Sequence, residues 1–198
     1  MRKVLKDFIK SDISIENKYL VAKTPINLSR TKYQNYHLMS YHEEDMMNQI
    51  ADIIVKPNGS VLNVGYGLGI FDKQVQKIGV LSHTIIECHP KIVEMCDLED
   101  VEMIHSTWQD YVPKLIEQKR KFDTIWFDTF LFNGPCCFKY EWDDFTSYVD
   151  DLLEVNGIIS MFTNKFPKHF IKNIKTSLDM FKLQTQMIDE YELLFWIK

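Results

Sequence analysis

From Glu43 to the last residues the chain alternates two periods. Met46, Met47, Ile50, Ala51 and Ile54 recur at helical steps, which predicts a helix over Glu43 to Val55, stopped by Pro57-Asn58-Gly59. The short apolar runs SVLNV, HTIIEC, VEMIH and FDTIWFD read as strands. The helical segments FDKQVQKIG, KIVEMC and DYVPKLIEQ separate them. Phe138, Trp142, Phe145, Val149 and Leu152 predict a longer helix from about Tyr140 to Glu154. Asn156-Gly157 then turns into strand IISMFT, a helix covers about Lys168 to Met180, and strands LQTQMI and ELLFWI follow. Strand–helix alternation implies right-handed crossovers and a mainly parallel sheet with helices on both faces. The short Asp189-Glu190 connection predicts an antiparallel hairpin at the C-terminal sheet edge. The fold class is α/β, Rossmann-like. Residues 1 to about 42 are polar, broken by Pro25 and without regular alternation. Val4, Leu5, Phe8 and Ile9 suggest a short amphipathic helix there. The expected organisation is an N-terminal extension over 1–42, folding as a lid, and one domain over 43–198.

Composition narrows the function. No apolar run approaches the ~18 residues of a membrane span, and the N-terminus lacks the clean apolar stretch of a signal peptide. A net charge of −5 disfavours a broad phosphate-binding surface and suits a cationic partner. No nucleic acid and no membrane are expected as partners. Cys88, Cys96, Cys136 and Cys137 show no metal-ligand spacing, so reduced thiols in a cytoplasmic chain are expected, and no metal. Cys136 and Cys137 read as a loop without a reactive-thiol role.

The chemistry starts at VLNVGYGLG. Gly65, Gly67 and Gly69 follow a buried strand and open a helix, where bare backbone lets a ligand lie against the chain. Glu87 ends the next strand about 20 residues on, placed to accept ribose hydroxyls. Phe71 stands where a nicotinamide-dinucleotide fingerprint wants a small residue, which favours a nucleoside without a pyrophosphate.

The chain resembles S-adenosylmethionine-dependent methyltransferases, more closely the guanidinoacetate and arginine N-methyltransferase group. The similarity runs from about Met39 to Gly157. VLNVGYGLG is similar to the group's cofactor loop, which implies that Gly65, Tyr66, Gly67 and Gly69 touch S-adenosylmethionine. IIECHP is similar to its ribose-binding strand end, with Glu87 and Cys88. STWQDYVPKL is similar to the segment beside the adenine, with Thr107, Trp108 and Gln109. FDTIWFDTF is similar to the strand ending in its catalytic Asp, here Asp128, which also borders the cofactor. MSYHEEDMM is similar to the helix start in which a Glu, here Glu43, lies between two cofactor-contacting residues, here Met39 and Met47. Asn63 stands where the group has Glu, and LFNGPCCFKYEWDD does not keep its histidine-containing helix.

The resemblance implies methyl transfer to a guanidino group, of arginine, free or in a small compound or peptide, or of guanidinoacetate. A guanidinium has a pKa near ~12.5–13.8 and is a poor nucleophile. Two carboxylates grip its planar fork and take its proton. Asp128 and Glu43 are the expected pair. Thr163 and Asn164 follow a strand end and would line the substrate side, with Lys165 beside them. Tyr19, Tyr33 and Tyr36 are lid aromatics suited to a cation. Other readings stay open from the residues: Glu43 as a helix-dipole acid, Trp108, Met39 and Met47 as core, and Asp110 as a helix cap. The enzyme alternatives are an amine- or hydroxyl-directed methyltransferase and an oxidoreductase. A cofactor-binding subunit without catalysis is the non-enzyme alternative.

Overall fold

The computed structural model describes residues 3–24, 34–129, 135–162, 174 and 178–198. A seven-stranded sheet forms its centre. It contains β4 (Ser60–Val64), β5 (Ser82–Glu87), β6 (Glu102–His105), β7 (Phe122–Phe127), β8 (Leu153–Met161), β9 (Lys182–Ile188) and β10 (Tyr191–Ile197). Their order is β6-β5-β4-β7-β8-β10-β9. The first five are parallel; β10 runs antiparallel between β8 and β9. The expected hairpin is present, turning through Asp189 and Glu190, with β9 at the edge.

The sheet alternates its faces residue by residue, as the pleat requires. Leu62, Val64, Ile125 and Phe127 meet α5 (Trp108–Glu117), α6 (Pro135–Thr146) and α7 (Val149–Leu152) on one side. Val61, Ile85 and Trp126 meet α2 (Glu44–Ile54) and α3 (Ile70–Ile78) on the other, where Ile50, Ala51, Phe71 and Val75 are buried. The short α4 (Pro90–Glu94) follows β5. Order reverses beside β4, because β5 lies on one flank and β7 on the other. That is where an open α/β sheet leaves a crevice at its strand ends.

Four details differ from the sequence expectations. The long helix is two, α6 and α7. Thr146 Oγ1 donates to the Asp143 carbonyl (2.9 Å) and Ser147 Oγ to that of Asp144 (2.6 Å). These side chains offer the backbone carbonyls local partners and end the helix. The apolar stripe survives the break, since Trp142, Phe145, Val149 and Leu152 are all buried. Cys136 and Cys137 consequently lie in a helix rather than a loop.

Asn156-Gly157 is not the turn that opens the strand. β8 already begins at Leu153, and Asn156 adopts φ 62° inside it, with a shift in the pairing to β7. That is a bulge. Of the helix expected over Lys168 to Met180, most lies outside the described residues, and Leu178 to Met180 form a turn.

The N-terminal segment is more regular than its polarity suggests. After α1 (Lys3–Ile9), strands β1 (Asp12–Glu16), β2 (Tyr19–Thr24) and β3 (Gln34–Ser40) form a separate antiparallel sheet. Asn17 and Lys18 both take positive φ, the geometry of a two-residue hairpin turn. Leu20, Val21 and Ala22 are buried. Among the described residues no helix is long and apolar enough to cross a membrane.

Candidate functional site

The crevice at the ends of β4, β5 and β7 gathers most of the expected residues. Gly65 takes φ 102°, a conformation that side chains rarely adopt. A Cβ there would stand 2.0 Å from the carbonyl oxygen of Asp128. The glycine thus brings the loop directly beneath the acid that ends β7, and the Asp128 N–H donates to the Val64 carbonyl at 2.9 Å. Met39, from the end of β3, reaches the same loop. Its sulfur accepts the Leu68 N–H at 3.3 Å, and a Cβ on Gly67 would meet it at 2.8 Å. The Tyr66 ring folds back over Gly69, with its hydroxyl toward Cys96 and Asp97, so it turns away from the strand ends.

Glu87 is buried at the end of β5. Its two oxygens accept the N–H groups of Tyr66 (3.0 Å) and His89 (2.8 Å). Burial raises its pKa, and these hydrogen bonds oppose the rise. The Cys88 N–H and thiol also donate to this carboxylate. Burial also pushes the neighbouring Cys88 thiol up, with the Glu87 charge adding to it.

Asp128 is partly buried, and its carboxyl is pushed up to about 7. Loss of hydration is the first cause; the charge of Glu43 is the second, followed by those of Asp72 and Glu87. The two predicted acids therefore lie within electrostatic range of each other. Glu43 closes a 3₁₀ turn, Tyr41–Glu43, just ahead of α2, rather than sitting inside the helix as its spacing suggested. Ser40 caps that turn by accepting the His42 N–H at 3.1 Å. Negative charge is concentrated at the reversal point, as a cationic ligand demands.

The β6–α5 turn is occupied by its own cap. Thr107 Oγ1 donates to Asp110 Oδ2 (2.8 Å) and accepts the Asp110 N–H (3.3 Å). The Trp108 ring is buried and meets Phe127, Phe145 and Tyr148 edge-on or nearly so. Backbone, rather than the face of that ring, is what this turn presents to a ligand. Met47 is fully buried among core residues of α2 and α3. Tyr19 stacks on His37, with ring centroids 4.5 Å apart. Thr163, Asn164, Lys165 and Tyr33 lie outside the described residues.

Sequence reasoning missed a buried network under the loop. Asn63 Nδ2 donates to Asp72 Oδ1 (2.7 Å), His83 Nε2 lies 3.0 Å from the same oxygen, and Gln76 Nε2 is 2.8 Å from His83 Nδ1. With Asn at position 63, Asp72 from α3 is the acid of this network. Its signal was Asp72 itself, an acid in an otherwise apolar first turn.

A bare loop, a buried acid at the end of the neighbouring strand and a raised Asp beside the loop fit a nucleoside that carries a cationic centre. The sequence model described as guanidinoacetate N-methyltransferase matches residues 18–195. The chain belongs to the guanidinoacetate N-methyltransferase family. Within reach of this family lie curated fungal proteins named protein arginine N-methyltransferase 2. The one from Yarrowia lipolytica is 34% identical over 141 residues, covering 65% of this chain and 29% of that protein. The one from Aspergillus oryzae is 38% identical over 136 residues, covering 65% and 32%. The chain spans about a third of the length of these relatives. Solved structures share the fold at low identity. A methyltransferase from Pyrococcus furiosus aligns with TM-score 0.65 at 12% identity, covering 98% of this chain and 92% of that one. Aeropyrum pernix fibrillarin, in complex with natively bound S-adenosyl-L-methionine, aligns with TM-score 0.58 at 13% identity, covering 94% and 97%.

Proposed function

We propose that this chain is an S-adenosylmethionine-dependent N-methyltransferase acting on a guanidino group. Arginine, free or within a small compound or peptide, is the first substrate, and guanidinoacetate the second. The observation that carries the reading is Asp128 set against Gly65 of the glycine loop, with Glu43 near enough for its charge to act on that acid. Family membership and the names of the fungal relatives support it.

The cofactor would supply an activated methyl on a sulfonium and leave as the neutral thioether. Gly65, Tyr66, Gly67 and Gly69 would cradle its methionine half, with Met39 against the loop. Glu87 would take the ribose hydroxyls, and the backbone around Cys88, Thr107 and Trp108 would flank the base. Asp128 and Glu43 would each accept N–H donors of the planar guanidinium, fixing one nitrogen in line with the methyl group. Asp128 would take the proton that this nitrogen gives up on being methylated. Burial strengthens the acid's attraction for the cation and readies it to hold the proton.

The segment before α2 acts as a lid in this reading. It is fastened at its base: His89 Nε2 reaches the Ser11 carbonyl at 3.2 Å, Phe8 packs on the His89 ring, and Lys91 pairs with Asp12. Cys88 and Cys96 are free thiols, which suits a reducing, cytoplasmic setting. Thr163 and Asn164 remain proposed substrate neighbours.

The test incubates the protein with S-adenosylmethionine and a guanidino panel that includes arginine peptides, and reads a 14-unit mass gain (~14 from one CH₂). Asp128→Asn and Glu43→Gln should each cut turnover by ~10²-fold or more while cofactor affinity stays near wild type. Methylation of amines or hydroxyls but of no guanidine, or full turnover by Asp128→Asn, would refute the guanidino assignment.

A further inference from the structure

The hydrogen bonds around the crevice close into a ring that leaves the site and returns to it. Glu87 Oε2 accepts the Tyr66 N–H of the glycine loop (3.0 Å), and its Oε1 accepts the His89 N–H (2.8 Å). The His89 ring is buried, and its Nε2 lies 3.2 Å from the Ser11 carbonyl, one residue ahead of β1. β1 pairs with β2, and β2 with β3, where Leu20 faces Met39. The Met39 sulfur accepts the Leu68 N–H, back in the glycine loop. The N-terminal sheet is thus fastened to the crevice at two points. One is the loop itself, and the other is the residue that holds Glu87.

His89 joins the two halves of this ring. Its Nδ1 accepts the Lys91 N–H at 3.2 Å, so the proton sits on Nε2 and is donated to Ser11. Phe8 packs on the same ring, with centroids 5.0 Å apart. The side chain therefore grips the N-terminal segment while the N–H grips Glu87. A shift of β1 turns the ring, and the bond to Lys91 carries that turn into the backbone beside Glu87. Protonation would undo the arrangement, because a hydrogen on Nδ1 would face the Lys91 N–H. Burial holds the pKa of His89 below its ordinary value. The charges of Lys91 and His105 act in the same sense, and the carbonyls of Ser11 and Phe8 oppose them. Glu87 borders the ring through the His89 N–H, and Asp12 through its pair with Lys91.

We propose that His89 is a positioning residue for the cofactor, coupling the seating of the N-terminal sheet to the seating of the nucleoside on Glu87 and the glycine loop. The proposal rests on the cofactor reading given above.

His89→Asn separates the two bonds of the ring. An Asn in this place still caps α4, but it is too short to reach Ser11. Calorimetry reads S-adenosylhomocysteine affinity, and amide exchange over residues 11–24 reads the opening of the sheet, in wild type and variant at pH 7.5. Coupling is reciprocal, so the affinity gained from a seated sheet and the protection gained from bound ligand are one factor. Ligand should slow wild-type exchange about fivefold, and His89→Asn should lose that protection and bind about fivefold more weakly. The neutral ring's contribution is full above ~6.5 and is lost as pH falls below it. At pH 5.5, with exchange corrected for its intrinsic pH dependence, wild type should therefore approach the variant. Glu87 and Asp128 are present in both proteins, so the difference between the two isolates His89.

A variant that exchanges faster yet binds ligand as wild type does has lost a structural clasp only, which overturns the proposal. Weaker binding in a variant whose sheet ligand still protects overturns it too, as do unchanged exchange and affinity, or the same pH dependence in both proteins. Thermal melts report folding. If His89→Asn does not fold, Phe8→Ala loosens the same clasp and carries the same expectations at pH 7.5. Failure of wild type to bind S-adenosylhomocysteine overturns the cofactor reading, and this inference with it.

Discussion

At the scale of single residues, Asp128 concentrates the consequences. Its folded pKa of about 7 lies above the ordinary Asp value of ~3.9. On the proposed role, the unliganded protein should gain activity as pH rises through about 7, because the ionised form would grip the cation. kcat/KM measured from pH 5.5 to 9 reads this free-enzyme ionisation; a flat profile across the window would contradict it. The sign for stability is opposite. The folded state holds the Asp128 proton more tightly than the unfolded chain, so this residue's contribution falls as pH rises from ~4 to about 7. Asp128→Asn should consequently melt higher than wild type at pH 8, by a few degrees (~2–4 °C per kcal/mol), and close to it at pH 4. Gly65 admits a second prediction. Its Cβ would meet the Asp128 carbonyl at 2.0 Å, so Gly65→Ala must displace that backbone. S-adenosylhomocysteine affinity should fall at least ~10-fold, by calorimetry, together with Tm.

Elements show how far the pattern of residues carries. β4 to β7 and the helices between them were legible because each has an unmixed period and clear stops, such as Pro57-Asn58-Gly59 after α2. The terminal hairpin was legible from Asp189-Glu190. The α6–α7 break was not. The apolar stripe runs through it undisturbed, and only the side-chain bonds of Thr146 and Ser147 reveal it. The small N-terminal sheet was hidden for a different reason: its apolar run is short, and its turn rests on Asn17-Lys18 rather than on glycine. Of the candidate site, the loop and Glu87 could be read from spacing, and Asp128 from the resemblance of FDTIWFDTF. The Asn63–Asp72–His83 network could not, since its members belong to a strand, a helix and the next strand and meet only when α3 packs on the sheet. The N-terminal clasp gives a prediction at this scale. Phe8 is buried against His89. Phe8→Ala should speed proteolytic cleavage within residues 3–24 about tenfold, by local opening, while the melting of the main sheet moves little. Equal cleavage rates would show that the clasp is not held there.

Over the whole molecule, the two faces of the sheet divide the work. One face is an aromatic core in which Trp108, Trp142 and Trp196 tie α5 and α6 to the strands. The other carries α2 and α3, and it leads from the core to Glu43, Met39 and the glycine loop. The position of β10 has a consequence for how such a molecule comes into being. This strand lies inside the sheet, between β8 and the edge strand β9, with Leu193, Leu194 and Trp196 wholly enclosed. A ribosome must release residues as far as Ile197 before β9 can find its place or the indole of Trp196 can leave water. Until then the nascent polypeptide exposes an unfinished flank on β8, a natural surface for a chaperone to hold.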